Sequence, residues 1–332
     1  RRAERPVVLA VNKLDDLPAT SDHFAFYGLG LGDPQPVSAS VGKASGDLLD
    51  RIVEALPPGV EGEDDSIQVA IVGRPNAGKS SLANRLLGQE RFVVAAEAGT
   101  TRDATDSHLR YLERNLTFID TAGLRRRAKV EDDIEFYSTL RTQRAIERAD
   151  VCVLVVDATL GLQNQDLRIA TEVWERGAAL IVAVNKWDLV EEKDTNTAER
   201  GRQILIEKAP FLEDVPFVYL SAITGQRARK VLDLILEAAD ARHERVQTAE
   251  VNRVLQELIG RNQPPQKPGE EVKLLYASQI GTAPPTFAIV SNRPFDIPEH
   301  YQRYLARGFR TAWPFPGSPL RLKFTSRGSK RR

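Results

Sequence analysis

Gly73-Arg74-Pro75-Asn76-Ala77-Gly78-Lys79-Ser80 is the stretch on which the reading of the chain turns. It fits the spacing G-x-x-x-x-G-K-S, and its flanks are those the spacing requires: an apolar run at 67–72 that reads as a buried strand, and helical spacing over 81–87. In that context the glycines let the main chain close around phosphate oxygens, and the N-terminus of the following helix favours their negative charge. Gly73, Asn76, Ala77, Gly78, Lys79, Ser80 and Ser81 are therefore the expected phosphate cradle. Lys79 reaches the outer phosphates as a point charge, and the Ser80 hydroxyl is placed to ligate Mg²⁺. The competing reading is an ordinary glycine-rich strand-to-helix turn.

Outward from this loop, short and nearly continuous apolar runs recur at 116–119, 151–156, 180–184 and 217–220, separated by helix-like segments. Strands buried on both faces read this way, and the alternation predicts a three-layer α/β fold with a mostly parallel sheet, the P-loop NTPase architecture. Functional residues belong just past the carboxyl ends of such strands. Asp120-Thr121-Ala122-Gly123 follows the second run, Asn185-Lys186-Trp187-Asp188 the fourth, and Ser221-Ala222-Ile223 the fifth. Gly99-Thr100-Thr101-Arg102-Asp103 lies between the phosphate loop and the second run, in a stretch of weak periodicity.

Each set has a chemical reason. Asp188 accepts two hydrogen bonds from N1–H and the 2-amino group of guanine, which adenine cannot supply; the Lys186 stem covers the base, and Asn185 ties neighbouring loops together. Ser221, Ala222 and Ile223 complete the base pocket. Asp120 holds Mg²⁺ through water, the Gly123 N–H senses the γ-phosphate, and Thr101 offers its hydroxyl to the metal and helps place the attacking water. The metal set is thus Ser80, Thr101 and Asp120, and the catalytic set Lys79, Thr101, Asn76 and Gly123. Because several of these contacts require a γ-phosphate, the loops form a switch between GTP and GDP.

The ends of the chain carry further signals. Apolar residues at 7–11 lead into Asn12-Lys13-Leu14-Asp15, a second N-K-x-D; Ser38-Ala39 follows, and 47–56 has helical spacing. Asn12, Lys13 and Asp15 read as base-binding residues, yet no phosphate loop precedes them within the chain. The expected organisation is a C-terminal remnant of a first GTPase domain at 1–57, an acidic linker at 58–66, a complete GTPase domain at 67–246, and a small α+β domain with a basic tail at 247–332.

Charge and composition narrow the rest. The 46 Lys and Arg balance 46 Asp and Glu, so nucleic-acid contact must come from local clustering. One cluster is present: nine Lys or Arg and no acid between His300 and Arg332. Arg321, Lys323, Arg327, Lys330, Arg331 and Arg332 fit phosphate contacts, against the alternative of a merely solubilising tail. Arg125-Arg126-Arg127 and Lys129 divide between a solvated face and RNA or inter-domain contact. The single cysteine, Cys152, has no partner for an internal disulfide and lies in an apolar run, which predicts a buried thiol. No run is long enough to span a bilayer and no signal pattern is visible, so a cytoplasmic monomer is expected. Trp174 and Trp187 read as packing residues.

Taken together, the motifs at 73–80, 99–103, 120–123 and 185–188, with the second N-K-x-D ahead of them, resemble the Der (EngA) family of tandem GTPases. So do Lys129-Val130-Glu131, Ala145-Ile146-Glu147-Arg148-Ala149-Asp150, Gly281-Thr282-Ala283-Pro284-Pro285-Thr286-Phe287 and Arg303-Tyr304-Leu305. The resemblance implies two GTPase domains and a C-terminal KH-like domain, with GTP and GDP as ligands. It further implies a role in assembling the large ribosomal subunit, with that subunit and its rRNA as partners and nucleotide state gating the contact. The chain departs from the family at its front, which looks truncated in the first GTPase domain. Its last domain has no G-x-x-G, so reading of single strands on that face is not expected. Leu124 stands where a water-orienting glutamine would be. In similar GTPases an asparagine at the position of Asn76 helps bind K⁺, which does the charge-stabilising work of an arginine finger; the alternative is that Asn76 only caps the loop. A guanine-nucleotide-dependent regulatory module with little turnover is the alternative function, and the C-terminal domain speaks against a tRNA-modification or transport GTPase.

Overall fold

The structure is a computed structural model and describes residues 7–14, 22–39, 44–55, 66–88, 105–121, 135–194, 196–265 and 271–326. Two compact units divide the chain, Arg1–Asp65 and Ser66–Arg332.

In the first unit, β1 (Ala10–Val11) pairs in parallel with β2 (Gln35–Pro36), and α1 (Ser45–Ala55) follows. Asn12 leaves β1 with its Oδ1 accepting from the N–H of Lys13 at 2.8 Å and of Ala39 at 3.0 Å. Lys13 takes a left-handed backbone, φ 70°. Asp15 lies outside the described residues.

The second unit begins with β3 (Ile67–Val72), then α2 (Lys79–Leu87), β4 (Ser107–Tyr111), β5 (Arg114–Phe118), α3 (Glu135–Arg148) and β6 (Val151–Asp157). It continues through α4 (Asn164–Arg176), β7 (Ala179–Asn185), α5 (Thr197–Lys208), β8 (Phe217–Tyr219) and α6 (Ala228–His243). The sheet runs β4-β5-β3-β6-β7-β8, and only the β4–β5 pair is antiparallel. Alternate residues of the central strands feed two cores. Val69, Ile71, Val153 and Ile181 pack with Leu82 and Leu86 of α2 and with Val231 and Ile235 of α6. Ala70, Val72, Cys152, Leu154 and Val182 pack with Ile146, Val173 and Leu212 on the other face. Burial on both sides is why these strands read as unbroken apolar runs. Cys152 is fully buried there, and burial pushes its thiol up to about 12, which leaves it protonated and inert.

A smaller α+β layer follows, the part expected to be KH-like. Here α7 (Thr248–Arg261) and α8 (Glu299–Ala312) cover one face of a sheet ordered β11-β10-β9, made of β9 (Leu274–Gly281), β10 (Thr286–Ser291) and β11 (Arg321–Ser326). Its core is aromatic: Phe287 contacts Phe309, Trp313 and Phe315 at centroid distances of 5.2, 5.7 and 6.2 Å.

This layer is clamped to the lower end of the GTPase sheet. The Gly317 carbonyl accepts from Leu180 N–H at 2.8 Å, and its own N–H donates to Asp214 O at 2.9 Å, so one residue of the KH-like part pairs with the start of β7. A side chain at Gly317 would collide with the Leu180 carbonyl, and φ of 71° adds a second demand for glycine. Arg310 pairs with Asp214 at 3.2 Å and donates to the carbonyls of Pro314, Phe315 and Ser318. Arg321 donates to the Glu175 carbonyl. Two members of the cluster 300–332, Arg310 and Arg321, are therefore engaged in this junction. The remaining residues of the tail, 327–332, lie outside the described residues. Asn185 ends the same strand five residues beyond Leu180, so the junction lies roughly 17 Å along β7 from it.

Candidate functional site

The phosphate loop connects β3 to α2. Three of its residues take left-handed or related backbones: Gly73 at φ 138°, Asn76 at 60° and Gly78 at 96°. These curl the chain into a tight loop ahead of the first turn of α2, the backbone form from which anion-binding nests are made. A side chain at Gly73 would strike the Val155 carbonyl, and one at Gly78 would strike the Asn185 amide. Ala77 is buried, while Asn76 and Ser81 are exposed and Ser80 sits half-buried in the first turn of the helix. The Lys79 ammonium bonds back to the Arg74 carbonyl at 2.6 Å, which holds it over the loop.

Asn185 ties this loop to the base-binding side. Its Nδ2 donates to the Ala77 carbonyl at 2.9 Å, and its Oδ1 accepts from the Ala222 N–H at 2.9 Å. The side chain is buried, so both bonds act in a low-dielectric setting where leaving either unmade is costly. Lys186 is left-handed at φ 61°, and Asp188 is exposed. Ser221 is buried and closes the turn through Thr224 N–H at 3.2 Å, and Ile223 projects outward at 72% exposure.

Asp120 follows the end of β5 by two residues, in a left-handed backbone at φ 52°. Its N–H donates to Asp106 Oδ1 at 2.9 Å, and Asp106 is in turn held by Arg148 at 2.7 Å. Asn76, Asp120 and Lys186 are the non-glycine residues of the site in a left-handed backbone, and such strain collects where structure is set by function. A hydroxyl at Ser80 and a carboxylate at Asp120 form a hard oxygen set of the sort Mg²⁺ takes while retaining several waters. Thr101 and Gly123 lie outside the described residues, as do Leu124, Arg125, Arg126, Arg127 and Lys129.

Several residues that position the site escape a motif reading. Asp157, at the end of β6, pairs with the Lys186 ammonium at 2.6 Å and accepts from Thr159 N–H and Oγ1 at 2.9 and 2.7 Å. Burial alone would raise its carboxyl, but these partners outweigh it and hold the group below its usual range. Arg74 reaches out of the phosphate loop to Asp166, fully buried at the start of α4, at 2.8 Å. Arg85 of α2 donates Nε to the Ala222 carbonyl at 3.0 Å and Nη2 to that of Ile223. Only the apposition of partners far apart in sequence could have revealed them. For Arg85 the expected result is direct: Arg85→Gln lowers GDP affinity by about tenfold, as two charge-assisted bonds to the base loop are lost. Fluorescent GDP titration checks this, and unchanged affinity would make Arg85 a bystander.

A phosphate loop, an Asp at the neighbouring strand end, and an N-K-x-D with its S-A partner loop, all at one end of one sheet, define a P-loop GTPase. Residues 68–186 match the family described as 50S ribosome-binding GTPase, and 245–325 the family described as the C-terminal KH-domain-like region of EngA bacterial GTPase enzymes. GTPase Der of Gemmatimonas aurantiaca is 53% identical over 97% of this chain and 74% of its own length, and that of Moorella thermoacetica 47% identical over 100% and 75%. The chain belongs to the Der family of GTPases and is a GTP-binding and GTP-hydrolysing protein. Among solved structures, Era of Aquifex aeolicus aligns with 78% of this chain and 92% of its own, at 21% identity and a TM-score of 0.40. Among the described residues, no helix is long and apolar enough to cross a membrane.

Proposed function

We propose that the chain is a Mg²⁺-dependent GTPase whose nucleotide state gates binding to the large ribosomal subunit and its rRNA during assembly. The observation that carries this reading is Asn185, whose one side chain bonds both the phosphate loop and the base loop. Base reading and phosphate binding are thereby one rigid unit, so a change at the γ-phosphate acts against a fixed frame. Within that frame Asp188 reads the guanine edge and Lys186, anchored by Asp157, covers the base. Lys79 and the loop N–H groups hold the phosphates, and Ser80, Asp120 and Thr101 hold the metal. Bound Mg²⁺ supplies neutralisation of charge on the phosphate oxygens. The family description as ribosome-binding supports the partner. Co-sedimentation with large subunits under GDP, a non-hydrolysable GTP analogue and no nucleotide tests the gating. The expected result is retention with one nucleotide state only; indifference to all three removes it.

Leu124 in place of a water-orienting glutamine favours a second reading, a binding module with little turnover. The two separate by cation. With Asn76 exposed on the loop and helping to hold K⁺ beside the phosphates, hydrolysis is clearly faster in KCl than in NaCl at equal ionic strength, by a factor set by preorganised charge worth a few kcal/mol. Asn76→Ala abolishes the difference while sparing most GDP binding. Equal rates in both salts leave Asn76 as a loop cap and turnover to a partner.

In the first unit, Asn12 and Ala39 repeat the bond between Asn185 and Ala222, and Lys13 repeats the backbone of Lys186. This supports reading 1–57 as the base-binding end of another GTPase domain, joined by 58–66 to the domains at 67–246 and 247–332. Since residues 1–57 contain no phosphate loop, calorimetry of this chain gives one guanine nucleotide per chain, and a stoichiometry near two contradicts the reading.

A further inference from the structure

Asp166 is the misfit of α4. It shares one face of the helix with Ala170 and Val173, at i, i+4 and i+7, and all three are fully buried. That spacing suits an apolar side chain, yet the first of the three is a carboxylate. Its Oδ2 accepts from the Gln163 N–H at 3.0 Å, which caps the helix, and from Arg74 Nε at 2.8 Å. Its Oδ1 is buried with no hydrogen-bond partner among the described residues. A buried carboxylate already short of one partner cannot give up its cation cheaply, so the pair stays closed.

The cation held there belongs to the phosphate loop. The Arg74 carbonyl accepts the Lys79 ammonium at 2.6 Å and the Ala77 N–H at 3.4 Å, so the aim of the lysine depends on where residue 74 sits. Ala77, further along the arch, has its own anchor in Asn185. The loop is thus held on both flanks, and the flank that carries the lysine is the one tied to α4. The start of the same β6–α4 connection holds the other lysine of the site, since Asp157 pairs with Lys186. One segment, 157–166, therefore grips the base side with one carboxylate and the phosphate side with another.

We infer that Asp166 is a positioning residue for the nucleotide: acting through Arg74, it holds the start of the phosphate loop where Lys79 meets the outer phosphates. This rests on the reading of 73–80 as the phosphate cradle. The test is a double-mutant cycle on nucleotide affinity. Wild-type chain, Arg74→Met, Asp166→Ala and the double variant are titrated with fluorescent GDP, in competition with a non-hydrolysable GTP analogue and with GMP, each beside a thermal melt. Each single variant is expected to bind GDP and the GTP analogue at least about fivefold more weakly, as a charge-assisted bond is lost. The double variant matches the weaker single variant within about twofold, because both changes cut one link. Arg74→Lys, which keeps a cation within reach of Asp166, recovers part of the affinity. GMP, which lacks the outer phosphates, keeps its affinity throughout. Asp166→Ala also removes the cap of α4; if it does not fold, Asp166→Asn, which keeps an acceptor for the Gln163 N–H, takes its place in the cycle. Wild-type affinity in the single variants overturns the inference. So do losses that add in the double variant or that fall equally on GMP, since either would assign the pair to stability of the fold alone. Lys79→Ala separates the two failures: if it too leaves GDP and GTP-analogue binding unchanged, the phosphate-cradle reading falls, and if it weakens them the inference falls by itself.

Discussion

Asp188→Asn is expected to cost GTP binding roughly 1.5–3 kcal/mol, or about 10- to 150-fold in affinity, and to raise affinity for xanthosine triphosphate. Asp188 is exposed, two residues from a lysine whose backbone is left-handed and whose ammonium is tied to Asp157 at 2.6 Å. The carboxylate can therefore meet the base edge without rearranging its support. A carboxylate accepts two hydrogen bonds and donates none, which suits the N1–H and 2-amino group of guanine. An amide at the same place donates to the 2-oxo group of xanthine instead. Competition titrations with both triphosphates read the swap, and wild-type GTP affinity in the variant would show that Asp188 does not read the base.

Gly78→Ala has the largest structural reach. At φ 96° an L-residue is strained by about 1–3 kcal/mol, and the new methyl falls on the Asn185 amide, which must move. Moving it breaks the bond to the Ala77 carbonyl and disturbs the one to Ala222 N–H. Phosphate cradle and base loop fail together, so GDP and GTP affinities drop by about a hundredfold or more. The folded sheet survives, because its two cores do not pass through this atom. Calorimetry with a parallel thermal melt checks both halves, and near-normal binding would mean that the loop tolerates a side chain where none fits in the structure.

How far such residues are visible before folding depends on how local their signal is. The phosphate loop, Asp120, Asn185 and Asp188 sit beside buried strands whose apolar runs mark the ends of the sheet, and the chain places each where those runs stop. β4 has no such mark: Ser-His-Leu-Arg-Tyr at 107–111 is an antiparallel edge strand with only Leu109 and Tyr111 buried, and its polar face hides it in a stretch of weak periodicity. Arg85, Asp157 and the Arg74–Asp166 pair stay silent because each acts on a partner brought close only by the crossover connections of a parallel sheet. A count of basic residues over 300–332 could not show that Arg310 and Arg321 also serve the junction, through Asp214 and the Glu175 carbonyl.

Gating has a thermodynamic signature that does not depend on where the subunit sits. If the GTP-bound form binds the large subunit more tightly than the GDP-bound form, the subunit must raise the affinity for a GTP analogue relative to GDP by the same factor. The decisive measurement is the ratio of dissociation constants for GDP and a non-hydrolysable GTP analogue, determined with and without saturating large subunits. A shift of that ratio by about 5- to 150-fold, equal to the difference in subunit affinity between the two nucleotide states, is the predicted result. A ratio that the subunit leaves unchanged would contradict the gating account.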